Sequence, residues 1–319
     1  MSTSTSSSSS SSTTTTTTSS SRSIGILGCG SLGEFLIRNI LSTPSLNLTL
    51  AFAWNRSPNR LDLLIQQGLI PASARCEDLS TCSLFNADII IEVCHPDVTA
   101  EWGSKLLLHS DFVCGSPTAL ADDAIFSKLI ECVTDPKINI NNKGLYIPSG
   151  ALWGAIDIRK LSQRKSLAFL EITMKKHPLS LKLEGEIGSK LATFIASGSK
   201  PGIECILYEG PVRQLCPLAP NNVNTMAAAA IAAYDTLGFD GVQCRLIADF
   251  GLDAHIITID ARGPTRLGQD GLSNAQPFRV FTERYNPAAP GAVTGSATYL
   301  SFLSSIVETG GKGRGIFMC

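Results

Sequence analysis

Three glycines carry the first chemical signal in this chain. Ser23-Ile24-Gly25-Ile26-Leu27 is a short apolar run that feeds directly into Gly28-Cys29-Gly30-Ser31-Leu32-Gly33. A Gly-x-Gly-x-x-Gly turn between a strand and a helix suits a dinucleotide pyrophosphate. The first glycine permits the tight turn, the second lets backbone approach the phosphates, and the third lets the helix pack close to the strand. The free N–H groups at the helix start then face the anion. Gly28, Cys29, Gly30, Ser31, Leu32 and Gly33 are therefore candidate cofactor contacts. The residue about 20 positions further on commonly sets the cofactor: an acid bonds the ribose 2′-OH of NAD, whereas an Arg accommodates the 2′-phosphate of NADP. In this chain that place holds Asn55-Arg56-Ser57, with no acid. Asn55 can bond a neutral hydroxyl, and Arg56 can pair with a phosphate bidentately. The expected cofactor is NADP or NAD, with Arg56 favouring NADP.

Hydride chemistry also needs a proton carrier, and imidazole titrates nearest neutral pH. The chain has four histidines: His95, His109, His177 and His255. His109 falls at a helix end, which suits capping or solvation. His95 and His177 each precede a proline, which fixes extended backbone. His255 opens an apolar strand pattern. From spacing alone, each reads as structural rather than catalytic. Pro220-Asn221-Asn222-Val223-Asn224 leads into an alanine-rich helix. Asn222 or Asn224 could cap that helix, whose start could equally meet a substrate carboxylate or the nicotinamide amide.

The elements that position these residues alternate. Phe35, Leu36, Ile37, Ile40 and Leu41 form a helical stripe ended by Pro44. Strands are expected at Leu48–Trp54, Ala87–Cys94, Phe112–Cys114 and Leu145–Ile147, with helices at about 59–67, 98–108 and 121–133. This β-α-β-α order predicts an α/β fold of the Rossmann type, a doubly wound parallel sheet. Ligands of such sheets sit at the carboxyl ends of the strands. The loops Gly28–Gly33, Asn55–Ser57, His95–Asp97, Gly115–Thr118 and Ser149–Leu152 should open onto one crevice. Cys94, His95 and Ser116 join the candidate cofactor contacts on that ground. From about residue 151 the pattern alternates more. Runs at Ala168–Met174, Glu204–Tyr208, Gln243–Ala248, His255–Ile259 and Phe278–Thr282 predict a second α+β domain with a mostly antiparallel sheet. The expected division is a tail to residue 22, a dinucleotide domain over 23–148 and a catalytic and dimerisation domain over 149–289. A last helix within about 290–319 should return to the first domain.

Composition narrows the class. The 319 residues suffice for two domains, and a net charge of −1 argues against a nucleic-acid surface or a polybasic membrane patch. No apolar run reaches transmembrane length. Ser2–Ser21 is entirely Ser and Thr, a solvated leader by composition. Ten scattered cysteines without a Cys-x-x-Cys pair suit reduced core thiols in the cytoplasm and no metal site.

Several segments, taken in order, resemble the L-aspartate dehydrogenase family, nearest its animal-type members. They are Ile26–Gly33, Val113–Leu120, Pro148-Ser149-Gly150-Ala151-Leu152-Trp153-Gly154-Ala155, Tyr208–Arg213, Asn222-Val223-Asn224, Ala248-Asp249 followed by His255, and Asn286-Pro287 to Ser296. The resemblance spans about Ser23 to Cys319. It implies oxidation of L-aspartate at C2 to iminoaspartate, which hydrolyses to oxaloacetate and ammonia, with NAD or NADP reduced. It implies His255 as the catalytic acid/base, Ala151 and Asn224 as nicotinamide-side contacts, and a homodimer formed through the second-domain sheet. A substrate with two carboxylates calls for cations, and Arg213 and Arg245, with Asn222, are the second-domain candidates. The chain departs from the family at Asn55-Arg56, which lacks the acid, and in the approach to His255 through Gly251-Leu252-Asp253-Ala254. A related Rossmann reductase with another amino-acid-derived substrate and a non-catalytic dinucleotide-binding protein are the alternative readings.

Overall fold

The computed structural model describes residues 21–198, 200–267 and 274–319, so residues 1–20 of the Ser/Thr tail lie outside them. The first sheet is built on short apolar strands: β1 (Arg22–Leu27), β2 (Leu48–Trp54), β3 (Ile89–Glu92), β4 (Asp111–Cys114) and β5 (Leu145–Ile147). β3, β4 and β5 are buried at every residue, as expected of strands covered on both faces. Their side chains alternate between two core clusters, one on each side of the sheet. All pairings in this sheet are parallel. β1 lies between β2 and β3, so the strand order reverses there. The crevice outside such a switch point is where ligands bind.

Helices α1 (Ser31–Ser42), α2 (Pro58–Gln66), α3 (Pro96–Leu106) and α4 (Asp123–Thr134) make the crossovers. The expected helix at 121–133 begins two residues later. Asp122 accepts hydrogen bonds from the N–H groups of Ala124 and Ile125 and so caps α4, leaving Pro117–Ala121 as a separate 3₁₀ turn.

The second sheet contains β6 (Phe169–Lys176), β7 (Glu204–Pro211), β8 (Gln243–Asp249), β9 (Ala254–Arg262) and, beyond a two-residue ladder of β10 (Arg266–Leu267) with β11 (Asn274–Ala275), β12 (Arg279–Pro287). The order is β12-β9-β6-β8-β7, antiparallel except for the parallel β6–β8 pair. Helices α5 (Ala155–Gln163), α6 (Gly185–Ala196), α7 (Val212–Leu215), α8 (Asn224–Ala232) and α9 (Gly238–Gly241) accompany it. Every residue of α8 from Thr225 to Ala232 is buried. Its alanines keep the helix slim, so that neighbouring elements close around it on all sides.

The chain then returns to the first sheet. In α10 (Ser296–Glu308), Phe302 and Ile306 pack into the core with Ile24, Ile26 and Ile91, and Tyr299 meets Phe35 of α1 edge-on at 5.2 Å. β13 (Ile316–Met318) pairs with β5 as a sixth parallel strand. That strand is too short and too mixed in composition to stand out in the sequence.

Candidate active site

The glycine turn has the shape that its sequence requires. Gly28 has φ +101°, and a Cβ there would lie 2.5 Å from Cys94 Cβ. A Cβ on Gly33 would lie 1.8 Å from the Gly28 carbonyl oxygen. Gly30 faces open space, where a Cβ would have no heavy atom within 4 Å. No side chain caps α1, so its first N–H groups are open to an anion. The Cys29 N–H is different: it donates to Asn55 Oδ1 at 2.9 Å, while Asn55 Nδ2 donates to the Ser57 carbonyl at 3.0 Å. Asn55 thus braces the glycine turn against the β2 loop. Gly28, Gly30, Asn55, Arg56, Cys94 and His95 all line one pocket of about 660 Å³. Arg56 is exposed at its edge and forms no salt bridge with a described residue. An open glycine cradle beside such a guanidinium fits the pyrophosphate and ribose of a dinucleotide.

Glu92, at the end of β3, holds the floor of this crevice. It is completely buried. Its Oε1 accepts from the N–H groups of Cys94 (2.8 Å) and His95 (2.9 Å) and from Ser116 Oγ (2.9 Å). Its Oε2 accepts from the Ser116 N–H (2.8 Å) and from Thr99 Oγ1 (3.2 Å). Burial pushes this carboxyl above the usual carboxylate range, against the pull of its donors. One side chain thereby fixes the loops after β3 and β4, including Cys94, His95 and Ser116.

A second cavity, a cleft of about 680 Å³, lies between the two sheets and is lined by Leu32 of the glycine turn. Leu32, Gly115 and Ala151 form part of its wall on the first-sheet side, and Met174, Lys176, His255 and Ile257 part of it on the other. Strand alternation puts these last four on one face. Met174 pairs with Ile257 across β6 and β9, and Asn286 of β12 pairs with His255. His255 is 4% exposed. Its Nε2 lies 3.1 Å from the Ala292 carbonyl oxygen, which can only accept, so Nε2 carries the hydrogen and the lone pair is on Nδ1. Burial, and next the charge of Lys176, push the imidazole down to about 4. Lys176 is 3% exposed; its Nζ donates to the Asn222 carbonyl at 2.9 Å, and burial pushes it down to about 8.

The other candidates distribute unevenly. Asn224 lines the cleft, and its Oδ1 accepts from Thr118 Oγ1 at 3.4 Å. Asn222 also lines it, but its amide is engaged by the chain. Oδ1 accepts from the Lys182 N–H at 2.8 Å and Nδ2 donates to the Ser180 carbonyl at 2.9 Å. Neither asparagine caps α8, whose N-cap is Val223 without a side-chain bond. Contrary to expectation, neither Arg213 nor Arg245 lines this cleft. Arg213 clamps Asp240 through Nε and Nη2, both at 2.7 Å, and Asp123 at 2.9 Å. Arg245 pairs in register with Thr173, one residue off the parity of Met174 and Lys176, so it points to the opposite face of the sheet and meets Glu209 at 3.2 Å. His95 caps α3, accepting at Nδ1 from the Asp97 N–H at 3.3 Å, while its ring still lines the dinucleotide pocket. His109 lines a separate cavity, and His177 packs against Phe250. Sequence reasoning misses Glu92 and Lys176. A charge ending an apolar strand, as Ile89-Ile90-Ile91-Glu92 does, is a usable signal for Glu92.

No group of three or more His, Cys, Asp or Glu among the described residues could hold a metal ion, and no described helix is long and apolar enough to cross a membrane. The glycine turn, the switch-point crevice and the buried imidazole opposite define a two-sheet, dinucleotide-binding protein of the oxidoreductase class. Residues 28–138 match the family model described as homoserine dehydrogenase, NAD binding domain, and residues 157–305 match aspartate dehydrogenase, C-terminal. An aspartate dehydrogenase domain-containing protein from Xenopus tropicalis is 44% identical over 93% of this chain and 97% of its own length. An L-aspartate dehydrogenase from Methanosarcina barkeri is 28% identical over 75% and 83%. The crystal structure of an aspartate dehydrogenase from Thermotoga maritima shares the fold, with a TM-score of 0.58 at 16% identity over 90% of this chain and 94% of that one. The chain belongs to the aspartate dehydrogenase family, and its cofactor is NAD(P).

Both Glu92 oxygens accept a backbone N–H, so the NH₂ of a glutamine would face a donor in either flip. Glu92→Gln should cost roughly 2–4 kcal/mol of stability and weaken NADPH binding. Urea unfolding and fluorescence titration check this. Wild-type values for both would show that Glu92 does not hold the crevice loops in place.

Proposed function

We propose that this chain is an NAD(P)-dependent L-aspartate dehydrogenase. The observation that carries the reading is a buried His255, its Nε2 turned to the Ala292 carbonyl, lining a cleft that Leu32 of the glycine turn also lines. The reaction takes a hydride from C2 of L-aspartate and a proton from its nitrogen, leaving iminoaspartate; water then gives oxaloacetate and ammonia. The nicotinamide cofactor supplies the hydride acceptor. The protein supplies the remaining steps. Ala151 and Asn224 stand where they can orient the nicotinamide. His255 Nδ1 takes the proton from the substrate nitrogen and, in the reverse sense, returns it. The Ala292 carbonyl holds the ring in the tautomer that leaves Nδ1 free. Burial keeps the imidazole unprotonated at neutral pH, the state a base needs.

His255→Ala should lower kcat roughly 10²–10⁴-fold while NADPH affinity is retained. A base must be unprotonated, so kcat/KM should fall as pH drops through the depressed imidazole value of about 4, and stay level across pH 6–7. Initial rates with L-aspartate test both. An acid limb near 6.5, or turnover confined to a different amino acid, counts against the reading.

Arg56 supports NADP as the preferred cofactor. Arg56→Ala should weaken NADPH binding about 10-fold and leave NADH almost unchanged, as read by fluorescence titration. Equal losses for both cofactors, or a wild-type preference for NADH, would sink this assignment.

The outer face of the second sheet supports a homodimer. Phe281 and Tyr285 are each 57% exposed there, flanked by Asp260 with its partners Arg262 and Arg279. Sedimentation should give twice the 33.9 kDa chain mass, and Phe281→Glu should shift it toward one. A wild-type monomer at micromolar concentration would rule the dimer out.

A further inference from the structure

Among the described residues, Lys176 is the one lysine or arginine lining the cleft, and no aspartate or glutamate lines it. The other cations expected at the site are neutralised elsewhere: Arg213 by Asp240 and Asp123, Arg245 by Glu209. Lys176 makes no salt bridge with any described residue, and its Nζ donates to a neutral carbonyl, that of Asn222. A buried ammonium without a counter-ion is destabilising, because burial removes its hydration and nothing replaces the lost stabilisation. The fold tolerates one on the same face of the second sheet as His255, across the cleft from the glycine turn. A ligand carboxylate would complete it. It would supply the missing charge and take the two ammonium protons that the Asn222 carbonyl leaves free.

We infer that Lys176 is the anchor for a carboxylate of an amino dicarboxylate substrate. The inference rests on the dehydrogenase reading and deepens it. That reading names the substrate but, with Arg213 and Arg245 engaged elsewhere, leaves its carboxylates without a cation. Lys176 supplies that cation from the face that already carries the proton carrier. Substrate charge and reacting nitrogen are then read by neighbouring residues of one sheet face.

Two variants separate charge from scaffolding. Lys176→Met removes the charge and the bond to the Asn222 carbonyl. Lys176→Gln removes the charge but keeps a donor for that carbonyl. Both should raise KM for L-aspartate, and the inhibition constant of succinate, at least about 30-fold, a change expected when a buried charge pair loses one member. NADPH affinity should stay within about twofold. A purely structural lysine would behave otherwise: Lys176→Gln would restore wild-type KM, or NADPH affinity would fall in step with aspartate affinity. Either result overturns the inference. Calorimetric binding of succinate to the NADP⁺ complex keeps the test independent of turnover. Succinate bound by wild type and lost in Lys176→Gln supports the anchor even if aspartate is not oxidised. Aspartate oxidised with unchanged KM in both variants overturns the anchor and leaves the dehydrogenase reading standing.

Discussion

A single buried carboxylate holds the cofactor side of this protein together. Parallel strands end in loops, and loops at a ligand crevice have no ladder to satisfy their N–H groups. Glu92 takes up three of them, from Cys94, His95 and Ser116, and two hydroxyls besides. Each bond is worth little net, but each donor left unpaired in a buried place costs far more. The consequences spread from there. Cys94 Cβ is the surface against which Gly28 turns, so a loop that shifted with Glu92 would close or open the glycine turn itself. Asn55 ties the same turn to the loop after β2. The first sheet thus presents its crevice as one connected polar network rather than as independent loops.

The second sheet contributes by parity. One face of β6, β9 and β12 carries Lys176, His255 and Asn286; the opposite face carries Arg262, Phe281 and Tyr285. The first face is enclosed by the first sheet and α10, and it is the one where charge is most destabilising. Both ionisable groups there respond as burial requires, Lys176 moving down to about 8 and His255 to about 4. The sign of each linkage is the same. His255 binds fewer protons folded than unfolded, so its share of stability is present above about 6.5 and is lost as pH falls toward 4. Lys176 likewise prefers to lose its proton on folding, so its charge lowers stability below about 8, and the penalty fades as pH rises toward 10.5. At neutral pH a cationic lysine and a neutral imidazole share this cleft, and an arriving carboxylate relieves the uncompensated charge of the lysine.

The pattern of the first sheet is legible in the sequence because its strands are buried on both faces and its turn has fixed glycine spacing. β2 and β5 fall where the apolar runs place them, and β3 differs only by losing its frayed ends. The second sheet is legible as strands but not as a surface. His255 and Asn224 stand out because a motif surrounds them. Arg213 and Arg245 stand out by charge alone, and charge says nothing about parity or about waiting partners such as Asp240 and Glu209. Lys176 escapes for the converse reason. In Lys175-Lys176-His177 it looks like a solvated strand end, and only tertiary contact separates Lys175, paired with Glu204, from its buried neighbour.

The last thirty residues explain how two sheets so different share one cleft. The Ala292 carbonyl sets the tautomer of His255, and Val293, Thr294, Gly295, Thr298 and Phe302 complete the wall. Asn286 reaches from β12 to this segment, accepting from the Ala297 N–H at 3.1 Å and donating to Thr298 Oγ1 at 2.8 Å. A Cβ on Gly295 would lie 2.4 Å from the same Asn286 amide, so glycine is what allows the close approach. Ser301 Oγ and Arg284 then both donate to the Gly150 carbonyl, drawing the loop after β5 onto α10 and β12. At the far side Arg213 joins the second sheet's helices to the Ala121 carbonyl and Asp123 of the first domain. The two sheets are tied together at two places, by α10 near His255 and by the Arg213 clamp near α4. Motion that admits substrate must therefore preserve those two ties or break the hydrogen bonds that form them. That condition favours small rearrangement of the walls over wide separation of the sheets.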